Sequence, residues 1–252
     1  MCDDCPICLD PMGTSLPFCK LPCSHIFHEC CLSKLRAVGV SQTCPMCRAP
    51  LPPCPHDLFD EALEYYADIE AQVAGGDASW DQLTLTQQLQ MDLAINLWQT
   101  AADSGLKEAA YNLALMFRLG RGVAQCNIMA VNWYEIAARQ GHANAQNNLG
   151  FMFNHGRGVA QDEVAAARWY RLAAEQGLTD AQYNIGVMSR QGRGTAQSNS
   201  EALRWYTLAA VGGSVDAREA LRRMKSEQQQ QTAARRMQPA RTNLRRKMLS
   251  KQ

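Results

Sequence analysis

The hexapeptide GRGVAQ stands at residues 120–125 and again at 156–161, and GRGTAQ at 192–197, so the chain returns to the same text every 36 residues. Other residues keep that interval: Trp133-Tyr134, Trp169-Tyr170 and Trp205-Tyr206; Gly105, Gly141, Gly177 and Gly213; Ala109, Ala145, Ala181 and Ala217. A period of this length means that one unit is a supersecondary motif too small to bury its own apolar face. Such units become stable by stacking on their neighbours.

Within a unit, VAAARWYRLAAEQG (164–177) has apolar residues at helical spacing and ends at Gly177, which can take a left-handed cap. AQYNIGVMSRQGRG (181–194) supplies a second helix and a glycine-bounded loop. Asp162 is placed to cap the following helix, and Ser198 holds the same slot. Cys126 holds it in the preceding unit and caps poorly, beside Asn127. The alanines, Gly150 and Gly186 allow close helix packing, and the Trp-Tyr pairs fill the wider gaps as core. Gly-Arg-Gly reads as a turn, because no strand precedes it and no Lys-Ser/Thr follows. His142 and His155 stand alone, at loops or helix ends.

AARWYRLAAEQGLTDAQYNIGVMSRQGRG (166–194) resembles the Sel-1-like repeats, relatives of tetratricopeptide repeats. Three units run from about Leu93 to Ser198. A partial fourth starts near Asn199, and its last helix, around Asp216 to Met224, lacks the Gly-x-Gly loop. The first unit carries Leu97-Trp98 in place of Trp-Tyr. The resemblance implies an all-α solenoid whose groove holds a protein substrate or adaptor.

The chain before the repeats is a different material. Ten of the eleven cysteines lie in the first 54 residues and nine of the ten prolines in the first 55. No apolar run approaches the ~18 residues a membrane span needs. MCDDCPICLD has acids where a secretory signal has a basic and then an apolar stretch. The reading therefore places the chain in the reducing cytoplasm, with the nucleus as the second candidate. Dense cysteine there means metal or catalysis more often than disulfides.

CPIC (Cys5 to Cys8) and CPMC (Cys44 to Cys47) each bring two thiolates to one metal. Alone they would make one four-cysteine site. Between them LPCSHIFHECC (21–31) adds Cys23 and His25, two apart and on one side of an extended segment, and His28 and Cys31, three apart on one face of a helical turn. Cys30 points elsewhere. Eight ligands suffice for two zinc ions.

In order and spacing these ligands resemble a RING finger of the variety with two central histidines; PHD and LIM domains use other ligand orders. The resemblance implies a zinc cross-brace. Cys5, Cys8, His28 and Cys31 would hold the first Zn2+, and Cys23, His25, Cys44 and Cys47 the second. A head of about 50 residues buries too little apolar surface to fold securely alone, and metal binding supplies folding energy. Four protein ligands per metal leave no open position, so the metals build a shape and activate no water.

The same resemblance implies a surface for a ubiquitin-conjugating enzyme charged with ubiquitin. The matching positions are Ile7, Leu35, Pro45 and Arg48, with Arg48 in the place of a basic residue that bonds both the enzyme and ubiquitin. Position 35 often carries tryptophan in this variety, and leucine offers less contact. The plainer alternative makes Ile7 and Leu35 core and Arg48 a solvated charge. No GxSxG elbow, HExxH or Walker loop is present. The expectation is a RING-type ubiquitin ligase, with an inactive zinc-stabilised scaffold as the alternative.

The expected domains are thus a small zinc cross-brace RING domain (1–53), a proline-rich linker with lead-in helices at Asp60 to Val73 and Trp80 to Met91 (54–91), the all-α helical-repeat solenoid (92–224), and a basic tail without regular structure (225–252). Cys54 and His56 in the linker are two ligands short of a site. From Arg222 onward the chain carries +9, and the remainder −8, against +1 overall. The basic tail suits a nuclear address or an acidic partner; nucleic acid is the weaker reading.

Overall fold

A computed structural model describes residues 7, 18–21, 23–28, 31–32, 43–51, 53–76 and 78–249, with backbone alone for 18–20, 28 and 233–249. The chain divides into two compact units, Met1–Asp77 with Leu85–Leu106, and Ala78–Thr84 with Lys107–Gln252.

In the first unit, β1 (Phe18–Lys20) pairs antiparallel with β2 (Ile26–His28), with Phe18 opposite His28. Leu21, Phe27, Cys31, Leu32, Cys44 and Leu51 are buried together there, so two of the expected metal ligands belong to the small apolar core. Helix α1 (Pro55–Gly75) starts inside the segment read as a linker. Pro55 begins it because the first helical residues need no N–H partner. Gly76, at φ 85°, ends it. Helix α2 (Leu85–Asp103) begins later than the expected Trp80 and runs through residue 91 without a break. The two helices pack together through a tilted contact between Tyr66 and the fully buried Trp98, 5.7 Å between centroids. Trp98 lies 36 residues before Tyr134 and holds the tyrosine position of the unit.

The second unit is a run of helices: α3 (Lys107–Leu119), α4 (Asn127–Arg139), α5 (Ala143–His155), α6 (Glu163–Glu175), α7 (Thr179–Gln191), α8 (Asn199–Val211) and α9 (Val215–Leu249). The hexapeptide acquires a physical meaning here. Its glutamine side chain donates to a carbonyl in the last turn of the helix before it: Gln125 to Arg118 at 2.9 Å, Gln161 to Asn154 at 3.0 Å, Gln197 to Arg190 at 3.1 Å. Each bond satisfies a carbonyl that the helix leaves orphaned. Asp162 accepts from the N–H groups of Val164 and Ala165, and Ser198 from Glu201, whereas Cys126 makes no side-chain cap.

The Trp-Tyr pairs divide their labour. Tyr134, Tyr170 and Tyr206 are buried, while Trp133 and Trp169 are only half-buried and Trp205 is buried. A Cβ on Gly150 would lie 2.9 Å from the Tyr170 ring, and one on Gly186 2.8 Å from the Tyr206 ring. The tyrosine therefore lies directly on bare helix backbone. The hydroxyl of Tyr134 accepts from Arg118 Nε at 3.0 Å and Asn148 Nδ2 at 3.2 Å. Burial pushes that phenol up to about 12, so it stays neutral.

Helix α9 corrects the expected tail. It contacts the array through Ala217, Ala220, Leu221 and Met224, and then continues as helix to Leu249. Its alanines, glutamines, arginines and lysines are good helix formers, and the helix runs past its core contacts with Pro239 inside it, against that residue's own preference.

His142, expected at a helix end, is the N-cap of α5; its Nδ1 accepts from the Ala145 N–H at 3.2 Å. It stacks on Tyr111 with centroids 4.5 Å apart. Burial lowers its pKa below the ordinary 6.5, Lys107 adds to the effect, and Glu108 opposes it.

Two outcomes follow from these contacts. Gly186→Ala is expected to cost about 1–3 kcal/mol by overpacking against Tyr206, and an unchanged urea midpoint would refute the ring-on-backbone contact. Protonation takes the lone pair from His142 Nδ1, and the folded pKa lies below the unfolded one, so its contribution is full above pH ~6.5 and lost as pH falls. His142→Asn caps without titrating. Between about pH 7.5 and 5.5 it should lose less melting temperature than the parent chain.

Candidate metal centre

The sequence brings Cys23, His25, Cys44 and Cys47 within reach by two local turns. Ser24, at φ 67°, bends the first, and Leu21 N–H donates to the His25 carbonyl at 2.8 Å. Cys23 and His25 therefore converge across a turn, and the extended segment expected between them is absent. In the second turn Arg48 N–H donates to the Cys44 carbonyl at 2.8 Å, Cys44 N–H donates to Ala49 at 2.7 Å, and Arg48 itself stands at φ 59°. These bonds fold CPMC into a knuckle with both sulfurs on one side.

The four ligand atoms lie within 4.8 Å of one another. His25 Nδ1 is 3.4 Å from Cys23 Sγ and 3.7 Å from Cys44 Sγ. A tetrahedral zinc with bonds of about 2.0–2.3 Å sets nitrogen and sulfur roughly 3.5 Å apart. Three sulfurs and one imidazole are also the donor types zinc selects. Cys44 is buried, Cys23 and His25 half-buried, and Cys47 exposed.

Burial alone would push the Cys44 thiol up, but the N–H groups of Cys47 and Met46 bring it below its usual value. For Cys47 the Ala49 N–H acts downward, yet desolvation and the adjacent Cys23 and Cys44 sulfurs leave its pKa raised. Three crowded thiolates repel one another unassisted, and a divalent cation removes that conflict. The residues fit zinc.

Of the other expected ligands, Cys5 and Cys8 lie outside the described residues, as do Leu35 and Cys30. His28 is the last residue of β2, whereas Cys31 and Leu32 are helical, so His28 and Cys31 do not share one helical turn as expected. The pairing of β2 with β1 holds His28 in extended backbone. Cys54 is the residue before α1 and makes no side-chain cap.

At the expected partner surface, Ile7 is half-buried against the head core. Pro45, Met46 and Arg48 are exposed on the knuckle, Met46 at 52%. The sequence reading passed over Met46, and its place between two knuckle ligands was the available signal.

Comparison with known proteins matches both parts. Residues 3–48 match the Ring finger domain family, and residues 85–106, 107–142, 143–178 and 179–214 match the Sel1 repeat, a block spanning more than half of the chain. The repeats begin at 85, earlier than Leu93, and there are four. Each full unit joins helices on either side of a Gly-Arg-Gly turn, α3 with α4, α5 with α6, and α7 with α8, the pairs that pack most extensively within the second unit.

The head is 38% identical over 58 residues to the E3 ubiquitin-protein ligase SGR9, amyloplastic, of Arabidopsis thaliana, covering 23% of this chain and 19% of that one. It is 40% identical over 48 residues to the E3 ubiquitin-protein ligase RNF181 of Xenopus laevis, covering 19% and 30%. The chain thus spans less than a third of the length of these two relatives. A Sel1 repeat protein from Oxalobacter formigenes superposes with TM-score 0.50 at 33% identity, over 52% of this chain and 54% of that one. The Escherichia coli protective antigen c5321, which displays an SLR fold, gives TM-score 0.59 at 31% identity, over 69% and 34%.

Cys44→Ser is expected to remove one zinc ion per chain, measured by elemental analysis of protein purified without chelator. Unchanged zinc content would show that Cys44 is core only.

Proposed function

This chain belongs to the Sel1 repeat family, and we propose that it works as a RING-type ubiquitin ligase whose repeats hold the protein to be modified or an adaptor for it. The observation that carries the reading is the knuckle of Cys44 to Arg48, which offers Pro45 and Arg48 to solvent beside a four-donor metal site, within a sequence that matches ring finger domains. In this reading the head holds two zinc ions, the first through Cys5, Cys8, His28 and Cys31, the second through Cys23, His25, Cys44 and Cys47. The metals keep the loops in place.

Ile7, Leu35, Pro45 and Arg48 would receive the ubiquitin-conjugating enzyme. Arg48 donates several planar, permanently charged hydrogen bonds, suited to bridging that enzyme and its ubiquitin. The chain itself need form no covalent bond. A substrate lysine attacks the thioester carbonyl, the amide bond forms, and the enzyme's cysteine leaves as thiolate. Holding the thioester in one attack-ready pose lowers the entropic part of the barrier.

The second reading, an inactive zinc-stabilised scaffold, is favoured by Ile7 packing against the core and by leucine at position 35. Among the described residues no helix is long and apolar enough to cross a membrane. We place the activity in the cytoplasm, with the basic segment after Arg222 as a route to the nucleus.

Autoubiquitination with a panel of conjugating enzymes tests the ligase: a zinc-loaded, folded chain that is silent with all of them would overturn it. Arg48→Ala is expected to slow ubiquitin discharge about tenfold or more, the equivalent of one charge-assisted hydrogen bond of ~1.5–3 kcal/mol, with zinc content intact. An unchanged discharge rate would favour the scaffold.

A further inference from the structure

Within the second unit a cavity of 360 Å³ is lined by Arg118, Leu119, Gln125, Asn127, Met152 and Arg157. The repeat supplies an internal control for it, because every lining residue has a counterpart 36 positions on. In that next unit Arg193, the counterpart of Arg157, donates from Nε to Glu163 Oε1 at 2.8 Å and from Nη2 to Asn154 Oδ1 at 2.8 Å. The protein places its own carboxylate there.

At the cavity the same positions read differently. Asn127 stands where Glu163 would be, and the neutral Asn154 is replaced by a second cation, Arg118. Both guanidiniums are held in place. Arg118 Nε donates to the buried Tyr134 hydroxyl at 3.0 Å, and its carbonyl takes the Gln125 side chain at 2.9 Å. The Arg157 guanidinium lies over the Phe151 ring, 5.1 Å from the centroid. Two positive groups thus line one cavity, and none of the described residues lining it is acidic. Arg118 is half-buried and Arg157 exposed, and an anion reaching both would make two charge-assisted hydrogen-bonding contacts.

We propose that this cavity binds a carboxylate side chain, aspartate or glutamate, of a polypeptide lying on the repeats. The inference rests on the reading of the repeats as the partner-binding part of the chain, and it names the chemistry they select. A carboxylate fits because Glu163 supplies that group to the matching arginine one unit later. Arg157 would take the place of Arg193 in the pair, and Arg118 would add a second positive partner absent from the filled copy.

The test uses the full zinc-loaded chain and the blocked tripeptide Gly-Glu-Gly, with Gly-Gln-Gly as its neutral control, followed by the amide and arginine Nε–H signals in nuclear magnetic resonance titration. The glutamate peptide is expected to shift the signals of Asn127, Arg118 and Arg157 saturably, and the glutamine peptide to bind at least tenfold more weakly. Arg157→Gln should weaken the response tenfold or more. Asn127→Glu installs the occupant of the next unit, and should abolish peptide binding while raising the melting temperature. Equal responses to both peptides, or a response that survives in Asn127→Glu, would overturn the site. Autoubiquitination is measured on the same samples. An inactive chain that still binds the glutamate peptide refutes the ligase alone, and an active chain that does not bind it refutes this site alone.

Discussion

The repeat array depends on one close approach of backbone to backbone. In the turns at 156–158 and 192–194 the second glycine lies against the first turn of a helix 31 residues earlier. A Cβ on Gly158 would collide with the Asn127 carbonyl, and one on Gly194 with the Glu163 carbonyl. Both glycines also stand at positive φ, 72° and 62°. No larger residue meets both demands, because the conformation and the space exclude a side chain independently. This contact sets the distance from one unit to the next. The tyrosine that lies on Gly150 or Gly186 sets the distance between the two helices joined by the turn.

With spacing fixed at two places per unit, the polar groups fall into matching ladders. Gln146 and Gln182, both buried, donate to the carbonyls of Ala138 and Ala174 at 3.0 and 3.2 Å. Gln176 reaches back to Gln146 at 2.7 Å, and Asn184 to Asn147 at 3.1 Å, tying neighbouring units together. Buried amides are costly without partners, so these bonds hold the units to one register. Departures from the period then become informative. Where Asn127 stands in the place of Glu163, the internal ion pair with Arg193 has no counterpart, and two arginines line the cavity there.

The head obeys a different economy. Its apolar core is six residues among those described, and two of them, Cys31 and Cys44, are expected metal ligands. Cys44 thus serves both as core and as a donor of the four-residue cluster. Loss of a ligand removes core and coordination together, which couples folding of the head to metal binding.

Periodic text determined much by itself: the helical pairs, the caps at Asp162 and Ser198, the poor cap at Cys126 and the glycine turns are all local, and local chemistry repeats when sequence repeats. The donors Cys23, His25, Cys44 and Cys47 were legible because few residue types bind zinc. Sequence misjudged the path between donors: a local turn with Ser24 at positive φ replaces the extended segment, and pairing with β1 holds His28 in a strand. It also stopped α9 too soon, where composition suggested a solvated tail and the backbone continues as helix. Only the tertiary structure decided that every tyrosine of the Trp-Tyr pairs is buried while Trp133 and Trp169 are half-exposed, that Gln125 and its counterparts close the helices before them, and that Arg118 and Arg157 share a cavity. Each of those facts depends on residues distant in sequence meeting in space, and periodicity specifies which positions are equivalent without specifying what they touch.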